Sequence, residues 1–369
     1  MKTMAYSKYG ADKKSLPNLY FAAIKSKIMY STPALITTSE TNINSLEVIQ
    51  NKALRIATGA LSSTPISSLQ CEANIPPIKL MIQEQAIKFY YKILTKEENH
   101  PMYSYIFQQA ILPLNDWNWR MRKPFTLKMI EVLHQWGMPD NPNIKPRIPA
   151  ITPPWEPLEN LIFLDLLTPM TKESNTPTQL RAESLRTIET RFSEHLKIYT
   201  DGSKTCHPYP QENSAAAAYY VQKPQDELRR ETGYWRLDPD ISIAGAELSA
   251  IHKALAQIHD NVINKDRPTK AAVILTDSKV SLYLIKQRKP KAYVYSTTAI
   301  QKYILDIRAW GWSISLQWIP SHCDIPGNEI ADKAANEGRS LGVIDSYPTE
   351  LEELSVRLKN SYNRKWANL

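Results

Sequence analysis

The spacing of hydrophobic residues changes near the middle of the chain. In the N-terminal part, apolar residues recur at helical intervals over residues 45–57 and again over 78–94. The second stretch is apolar on more than one face, which predicts a helix that is buried on most sides. The Pro76-Pro77 pair breaks the pattern between the two stretches. We therefore expect a mainly helical region over residues 1–98.

In the C-terminal part, strand-like apolar runs alternate with helical segments. The pattern predicts strands over residues 196–201, 215–221, 231–237, 271–276 and 313–319, and helices over about 245–260, 278–287, 297–310 and 328–337. Three successive strands, followed by helices that alternate with two further strands, predict an α/β fold. We expect a mixed five-stranded sheet flanked by helices, with the first, fourth and fifth strands parallel. An amphipathic helix is expected within residues 341–369.

Residues 99–190 differ in character from both parts. Ten prolines and four tryptophans fall in this segment before residue 158. Because proline disrupts helix interiors and central strands, the composition predicts an extended linker with one helix near 125–136. A basic cluster within it consists of Arg120, Arg122 and Lys123. The cluster either follows a nucleic-acid backbone or lies in a solvated loop that is anchored by tryptophans, and both interpretations stay open.

The net charge of +8 is concentrated in the N-terminal part of the chain. Residues 1–150 contain 18 Lys and Arg against 10 Asp and Glu, whereas residues 151–369 contain 27 of each kind. A basic N-terminal part is compatible with a polyanionic partner such as nucleic acid. The alternative is ordinary variation of a solvated surface.

Cysteine usage and hydropathy bear on the compartment. The three cysteines are far apart and form no CxxC pair, so the sequence predicts neither a disulfide framework nor a zinc site. Apolar runs of about 18 residues, which would predict a membrane span, are missing, and so is an apolar N-terminal signal segment. We expect an intracellular protein, nuclear or cytoplasmic rather than secreted, with no membrane partner. Its oligomeric state is not indicated, and a monomer is favoured.

Four acidic residues lie where predicted strands end or predicted helices begin. Asp201 and Asp277 end the first and fourth strand-like runs, and Asp332 lies in the first turns of its helix. Glu247 precedes Ile251 by four residues, so it shares the apolar face of its helix and points toward the sheet. A carboxylate in such a place is costly unless it is paired or binds a cation. The four together predict a divalent-metal pocket of the kind that serves phosphoryl displacement.

Each of these residues taken alone also has a simpler interpretation. Asp277 precedes a helical pattern and fits a helix N-cap, and Glu247 in a first turn is favoured by the helix dipole. His322 lies in a loop ten residues before Asp332. It either transfers protons beside the pocket or is an inert surface histidine.

The residues around the four carboxylates form recognisable motifs. They are Tyr199-Thr200-Asp201-Gly202-Ser203, Ala246-Glu247-Leu248, Thr276-Asp277-Ser278, and Trp318-Ile319-Pro320-Ser321-His322 followed by Gly327-Asn328-Glu329 and Ala331-Asp332. On these motifs, residues 195–337 resemble a type 1 ribonuclease H domain. The resemblance implies a ribonuclease H-like fold and an endonuclease that hydrolyses the RNA strand of RNA–DNA hybrids. It also implies a two-metal-ion mechanism, in which the carboxylates of Asp201, Glu247, Asp277 and Asp332 hold two Mg²⁺ or Mn²⁺ ions and His322 assists turnover.

Polar and basic residues beside these motifs are the expected contacts to the nucleic acid. They are Gly202, Ser203, Lys204, Ser278, Lys286, Arg288, Lys289 and Asn328. Basic residues near a metal pocket supply sequence-independent affinity for a phosphate backbone. Selectivity for a hybrid would come from groove shape and 2′-hydroxyl contacts. A solvated Lys- and Arg-rich loop is the alternative for the three residues over 286–289.

The N-terminal part carries a second resemblance. Its motifs are Ile49-Gln50-Asn51-Lys52-Ala53-Leu54-Arg55, Thr58-Gly59-Ala60, Ser63-Thr64-Pro65 and Glu72-Ala73-Asn74-Ile75-Pro76-Pro77. This series is similar to the segment that follows the polymerase core in non-LTR retrotransposon proteins. The resemblance implies a reverse-transcriptase C-terminal remnant over residues 1–98, a linker over 99–190, a ribonuclease H domain over 191–340 and a C-terminal amphipathic helix over 341–369. The sequence has no Asp-Asp pair in a strand context, so we expect no reverse transcription.

Two departures from the family pattern leave a competing hypothesis open. Cys323-Asp324 follows His322 where the family has a small or apolar residue and Gly, and Asp324 would either stiffen the loop or repel the scissile phosphate. Residues 243–246 offer only backbone where cellular members carry Asn side chains. The alternative is therefore a catalytically impaired nucleic-acid-binding remnant of a retroelement. An integrase or transposase of the same broad fold is a weaker alternative, because its acidic series typically ends in Glu.

Overall fold

The computed structural model describes residues 15–110, 123–146, 158–171, 174–205, 213–222, 231–264 and 270–369, together with residues 5, 10 and 11. Side chains at 105, 107–110 and 261–264 are outside this description. The chain forms two compact units. One contains Met1–Pro142 with Leu354–Leu369, and the other contains Asn143–Glu353.

The regular structure in the described part of the first unit is helical, and over residues 15–94 this agrees with the mainly helical region that the sequence predicts. Its helices are α1 (Ser15–Tyr20), α2 (Ser26–Tyr30), α3 (Thr32–Leu35), α4 (Glu40–Thr58), α5 (Ile66–Ala73), α6 (Ile78–Leu94), α7 (Pro101–Ala110) and α8 (Phe125–Trp136), with a π-helical turn over Phe21–Lys25. Helix α4 ends at Gly59, which adopts φ 71° and caps the last turn. Buried Gln50 connects three elements, since its Oε1 accepts from the Tyr20 hydroxyl at 2.5 Å and its Nε2 donates to the Pro76 oxygen at 2.9 Å.

The second unit is built on a six-stranded mixed sheet. Its strands are β1 (Ile162–Phe163), β2 (Leu196–Thr205), β3 (Ser214–Gln222), β4 (Glu231–Leu237), β5 (Ala271–Thr276) and β6 (Ser313–Trp318), in the order β1-β6-β5-β2-β3-β4. The helices are α9 (Pro177–Phe192), α10 (Ile243–Asn264), α11 (Lys279–Lys286), α12 (Val294–Ala309), α13 (Pro326–Gly338) and the start of α14 (Leu351–Ala367). Strands β2, β5 and β6 are parallel, and β3 and β4 extend the sheet in antiparallel fashion. The predicted fold class is confirmed.

Alternate residues of the central strands face two different helical layers. Ile198 and Ile274 point to one face, in a cluster with Leu248 of α10 and Ile304 of α12, among others. Their neighbours Tyr199, Val273 and Leu275 point to the other face and pack with Ile188 and Phe192 of α9 and Ala331 of α13. The sheet is therefore buried on both sides, which explains the near-continuous apolar character of β5.

The structure has one strand more than the five that the sequence predicts. The added strand β1 contains two residues and pairs in parallel with β6, with Ile162 opposite Leu316. A two-residue strand is too short to display the alternation by which strands are recognised. Arg191 of α9 supports it, because its Nη1 donates to the Asp165 oxygen at 3.1 Å and to Gln317 Oε1 at 2.8 Å.

The range predicted as a linker, residues 99–190, contains regular structure in its described part. Helices α7 and α8 belong to the first unit, and β1 and most of α9 belong to the second. Helix α8 coincides with the helix expected near 125–136. The prolines are compatible with it because Pro124 is the N-cap residue and Gly137, at φ 62°, ends the helix. Of the basic cluster, Arg120 and Arg122 lie outside the described residues, and Lys123 forms an ion pair with Glu131.

Over the described ranges, none of the helices has the length and apolar character that crossing a membrane requires.

Candidate metal centre

Two of the predicted carboxylates lie side by side on neighbouring parallel strands. Strands β2 and β5 pair up to Thr200 and Thr276, which are Cα partners. The residues that follow, Asp201 and Asp277, therefore lie at the same end of this pair. The second of them is held by Trp318, whose indole Nε1 donates to the backbone oxygen of Asp277 at 3.1 Å.

Asp201 does not end its strand, although the sequence predicts that it does. Strand β2 continues to Thr205, because its pairing with β3 extends to Thr205 opposite Ser214 after its pairing with β5 has ended. Asp201 thus lies at the point where β2 separates from β5 and stays bound to β3. Pairing with β3 therefore supports β2 on both sides of Asp201.

The third carboxylate comes from a helix that packs against β2. Glu247 lies in the second turn of α10 and is buried. The helix approaches closely because residue 202 is glycine: a Cβ atom on Gly202 would lie 2.6 Å from the backbone nitrogen of Glu247. As a result, carboxylate oxygens of Asp201, Glu247 and Asp277 lie within 4.8 Å of one another.

Burial and mutual repulsion raise the pKa values in this cluster. Burial raises the pKa of Asp201 to about 8, and the charges of Asp277 and Asp332 contribute to the shift. Burial, followed by the charges of Asp201 and Asp277, raises the pKa of Glu247 well above its ordinary value. The backbone amide of Gly202 opposes both shifts and lowers the pKa of each carboxyl group.

The donor set fits a divalent cation. Oε2 of Glu247 is buried and has no hydrogen-bond partner among the residues that the structure describes. An unsatisfied buried oxygen is costly, whereas carboxylate oxygens are the ligands that Mg²⁺ and Mn²⁺ prefer. Asp201, Glu247 and Asp277 would hold such an ion, which would also offset their repulsion.

The fourth predicted carboxylate lies at the margin of this cluster. Half-buried Asp332 on α13 contributes to the raised pKa of Asp201 but is outside the set of oxygens within 4.8 Å. Its Oδ1 accepts from Nδ2 of Asn336 at 3.1 Å, and Oδ1 of Asn336 accepts from the Ser203 hydroxyl at 2.7 Å. Asn336 thus connects α13 to β2 beside the centre. Asn336 was not among the predicted site residues, although its spacing of four residues from Asp332 on a helix indicates that the two side chains are neighbours.

The loop between β6 and α13 places His322 at the surface on an unusual backbone. His322 and Asp324 are both exposed and adopt φ 55° and φ 53°, and buried Cys323 lies between them. A left-handed conformation favours glycine, and Asp is one of the few other residues that adopt it at modest cost. The loop therefore has a left-handed backbone conformation at residue 324, although Asp stands there where the family has Gly.

The predicted nucleic-acid contacts have varied surroundings. Lys204 donates to the Ile241 oxygen at 2.5 Å, so its ammonium is bound to backbone ahead of α10. Ser278 is the N-cap of α11 and accepts from the Ser281 amide at 3.3 Å. Asn328 is buried in α13, and for its Oδ1 no hydrogen-bond partner is found in the described part of the chain.

The basic residues follow helix α11. Lys286 ends the helix and is partly exposed, whereas Arg288 and Lys289 are exposed in the connection to α12. Lys291 in the same connection is also exposed. These side chains form an accessible basic loop.

The fold and the site together define an α/β protein with a buried acidic centre suited to a divalent cation. A family model described as RNase H matches residues 193–340. Ribonuclease H of Stutzerimonas stutzeri (strain A1501) is 30% identical over 152 residues, which are 39% of this chain and 90% of the bacterial protein. The chain belongs to the ribonuclease H family.

The solved structures to which the chain is similar include one from a virus and one from an archaeon. The Prototype Foamy Virus protease-reverse transcriptase is 19% identical, with 40% of this chain and 21% of that chain covered and a TM-score of 0.32. RNase H1 from Halobacterium salinarum NRC-1 is 18% identical, with 39% and 96% covered and a TM-score of 0.27. Membership of the ribonuclease H family is shown by the family model and by the bacterial relative, independently of these two structures.

The raised pKa values predict how stability depends on pH without metal. Because the pKa of Asp201 rises from 3.8 to about 8, the folded protein binds more protons than the unfolded chain between these values. In EDTA, the melting temperature should therefore fall as pH rises from 4 to 8. Asp277→Asn removes a charge that raises the pKa of Asp201 and Glu247, so this variant should melt higher at pH 8 and show a shallower pH dependence. A gain of about 1 kcal/mol would correspond to roughly 2–4 °C.

Differential scanning calorimetry of the full chain at several pH values measures this difference. Glu194→Gln is the matched control, because this exposed carboxylate precedes β2 at the end opposite to Asp201. Equal pH slopes for the Asp277→Asn variant and the unmodified protein would contradict the repulsion described here.

Proposed function

We propose that this chain is an endonuclease that hydrolyses the RNA strand of RNA–DNA hybrids, with two Mg²⁺ or Mn²⁺ ions held by Asp201, Glu247, Asp277 and Asp332. The observation that carries the proposal is the group of three carboxylates with oxygens within 4.8 Å. When bound, such ions lower the pKa of the attacking water, polarise the phosphodiester and stabilise the leaving oxygen.

The residues of the chain itself fix the geometry of this centre. Glu247 presents a buried oxygen from a helix packed at Gly202, and Trp318 fixes the backbone of Asp277. Asn336 orients Asp332 through a hydrogen bond to its Oδ1. Contacts of this kind hold the ligand oxygens in place before the ion binds, so the free-energy cost of ordering them on binding is smaller.

Proton transfer is the proposed role of His322. The residue is exposed in the loop before α13, where it is accessible to solvent and to a bound strand. An imidazole side chain is suited to accept or release a proton during turnover. Asp332, ten residues later on α13, is the carboxylate beside which it would act.

The expected substrate contacts are electrostatic and insensitive to sequence. The exposed basic residues Arg288 and Lys289, with partly exposed Lys286, would bind phosphates of the nucleic acid. Near the centre, Gly202, Ser203, Ser278 and Asn328 are the proposed contacts to the strand that is cut. Lys204 is held by the Ile241 oxygen, so its proposed role is to support this loop or to exchange that bond for a phosphate.

The chain is also proposed to derive from a non-LTR retrotransposon protein. Support comes from the motif over residues 49–55 and from the helical unit in which it lies, on α4. Residues 1–98 would then be the remnant of the reverse transcriptase. A catalytically impaired remnant is the second candidate, favoured by the exposed charge of Asp324 two residues after His322.

The first test is cleavage by the full chain. The substrates are labelled RNA–DNA hybrid, duplex DNA and duplex RNA, each with Mg²⁺, Mn²⁺ or EDTA. We expect metal-dependent cutting confined to the RNA of the hybrid. Asp277→Asn should reduce the rate by more than about 100-fold, because even residues that only support metal ligands contribute 10–100-fold.

Asp306→Asn is the control for this test, because Asp306 is a partly exposed carboxylate on α12. It should cut at the rate of the unmodified protein. Cleavage by the Asp277→Asn variant at nearly that rate would refute the assignment of the centre. A folded chain that binds hybrid without cutting it would support the impaired remnant.

A separate prediction concerns the charge of Asp324. Asp324→Asn keeps a side chain that tolerates the left-handed backbone and removes a negative charge near the proposed path of the substrate. We expect the KM for hybrid to fall by up to about fivefold at 50 mM salt, which corresponds to the upper range for one exposed charge pair. The difference in KM should shrink at 500 mM salt, because salt screens the repulsion.

Steady-state kinetics at the two salt concentrations measure this difference, with Glu194→Gln as the control. An unchanged KM at both concentrations would show that Asp324 does not repel the substrate.

A further inference from the structure

The second unit extends beyond the range that the ribonuclease H family model matches. That range ends at residue 340, whereas the unit continues to Glu353. Within residues 341–353, the Asp345 amide donates to the Arg236 oxygen at 2.7 Å, and the Asp345 carboxylate pairs with Lys253 of α10 at 2.8 Å. We call these residues the 341–353 segment.

The middle of the 341–353 segment is fixed to helix α12. Tyr347 donates to the Ser296 hydroxyl at 3.0 Å. Buried Glu350 accepts from both the amide and the hydroxyl of Ser296, each at 2.7 Å. These contacts fix the start of α14 and with it the residue that ends the segment, Glu353.

Glu353 binds the residue that precedes α10. Its carboxylate is buried, and Oε1 accepts from the amide of Ser242 at 3.2 Å and from its hydroxyl at 3.3 Å. The hydroxyl oxygen of Ser242 in turn accepts from the Gly245 amide at 2.9 Å, as an N-cap does. The Tyr293 hydroxyl lies 2.7 Å from the same oxygen. A carboxylate is well placed here, because the N-terminal turn of a helix attracts negative charge.

The first turn of α10 is shaped to receive this carboxylate. A Cβ atom on Gly245 would lie 2.2 Å from Oε1 of Glu353, so a side chain at residue 245 would displace it. Glu247 follows two residues later, and its backbone nitrogen lies against Gly202. The start of α10, which leads into the turn that carries Glu247, is therefore fixed at the helix N-terminus by Glu353, and Glu247 itself is held along its backbone by β2.

We propose that Glu353 is a positioning residue for the reaction, which holds the first turn of α10 and thereby the carboxylate of Glu247 in the orientation that binds the cation. The inference rests on the proposed function, and Glu353 itself does not touch the acidic centre. Glu353 lies 106 positions after Glu247 in the sequence and outside residues 193–340, the range that the family model matches.

The test compares variants of the full chain at pH 8, because burial raises the pKa of Glu353 to about 7 and the unmodified side chain is then mostly in one protonation state. Glu353→Ala removes the acceptor, and Glu353→Gln keeps an oxygen that accepts from Ser242. Glu352→Ala is the matched control, since Glu352 is the adjacent and partly exposed carboxylate on α14. The measurements are kcat and KM on hybrid, Mn²⁺ affinity by calorimetry without substrate, and the melting temperature.

We expect Glu353→Ala to lower kcat by about 10–100-fold and to weaken Mn²⁺ binding by about tenfold, in the range of residues that support metal ligands. KM for hybrid should stay within about twofold, because the phosphate contacts lie elsewhere. Glu353→Gln should restore most of both losses, and Glu352→Ala should resemble the unmodified protein. If Glu353→Ala lowers only the melting temperature, with kcat and Mn²⁺ affinity unchanged, the residue is merely structural and the inference is overturned.

A second variant keeps the test decisive if Glu353→Ala does not fold. Gly245→Ala displaces the carboxylate without removing it, and alanine is the better helix former. It should reduce kcat and Mn²⁺ affinity while Glu353→Gln retains them, and normal values for Gly245→Ala would overturn the inference. If the unmodified chain does not cut hybrid, the proposed function fails by itself, and the Mn²⁺ affinities of the variants still decide the role of Glu353.

Discussion

The close packing of α10 against β2 at Gly202 is the contact on which the acidic centre depends. A side chain at this position would overlap the backbone of Glu247 and move the helix away. The backbone amide of the same residue lowers the pKa of Asp201 and of Glu247. One glycine thus brings the two carboxylates together and offsets part of the repulsion that results.

The rest of the second unit supplies the stability that holds this repulsive cluster. Helix α10 buries Leu248, Ile251 and Leu255 completely against the sheet. Each such side chain contributes about 1.5–3 kcal/mol when it is fully buried. Burial of this apolar face therefore keeps α10 against the sheet, although burial of the Glu247 carboxylate on the same side is unfavourable. A bound cation would offset the repulsion among these carboxylates and would thereby stabilise the folded unit.

The parts of the site that sequence predicts are those governed by local periodicity. The apolar run of β5 and the stripe that includes Ile251 place Asp277 at a strand end and Glu247 toward the sheet, and the structure agrees on both positions. The continuation of β2 past Asp201 was not predictable, because it depends on pairing with β3 rather than on the strand's own pattern.

The Glu353–Ser242 contact joins residues 111 positions apart, so no local pattern predicts it. A glutamate in the first turn of a helix is also explained by the helix dipole alone, so Glu353 gives no sign of a further role in the sequence. Prolines over 99–190 predicted a linker with a single helix, now α8, because composition does not show that α7 and most of α9 also form in this range.

The segments on either side of the family range have a common structural effect, which is to cover the edges of the sheet. At one edge, β1 pairs with β6, and at the other edge Ile344 forms a parallel bridge with Arg236 of β4. Unpaired edge strands invite association with other chains, so a sheet of β2 to β6 alone would expose two such edges. Covering these edges satisfies backbone groups that would otherwise need hydrogen bonds from solvent.

At the β4 edge, the covering residues also lead directly to Glu350 and Glu353, which bind α12 and the start of α10. Protection of the sheet and support of the acidic centre are therefore provided by one continuous stretch of chain, so a change that loosens the edge would also loosen the helix that carries Glu247.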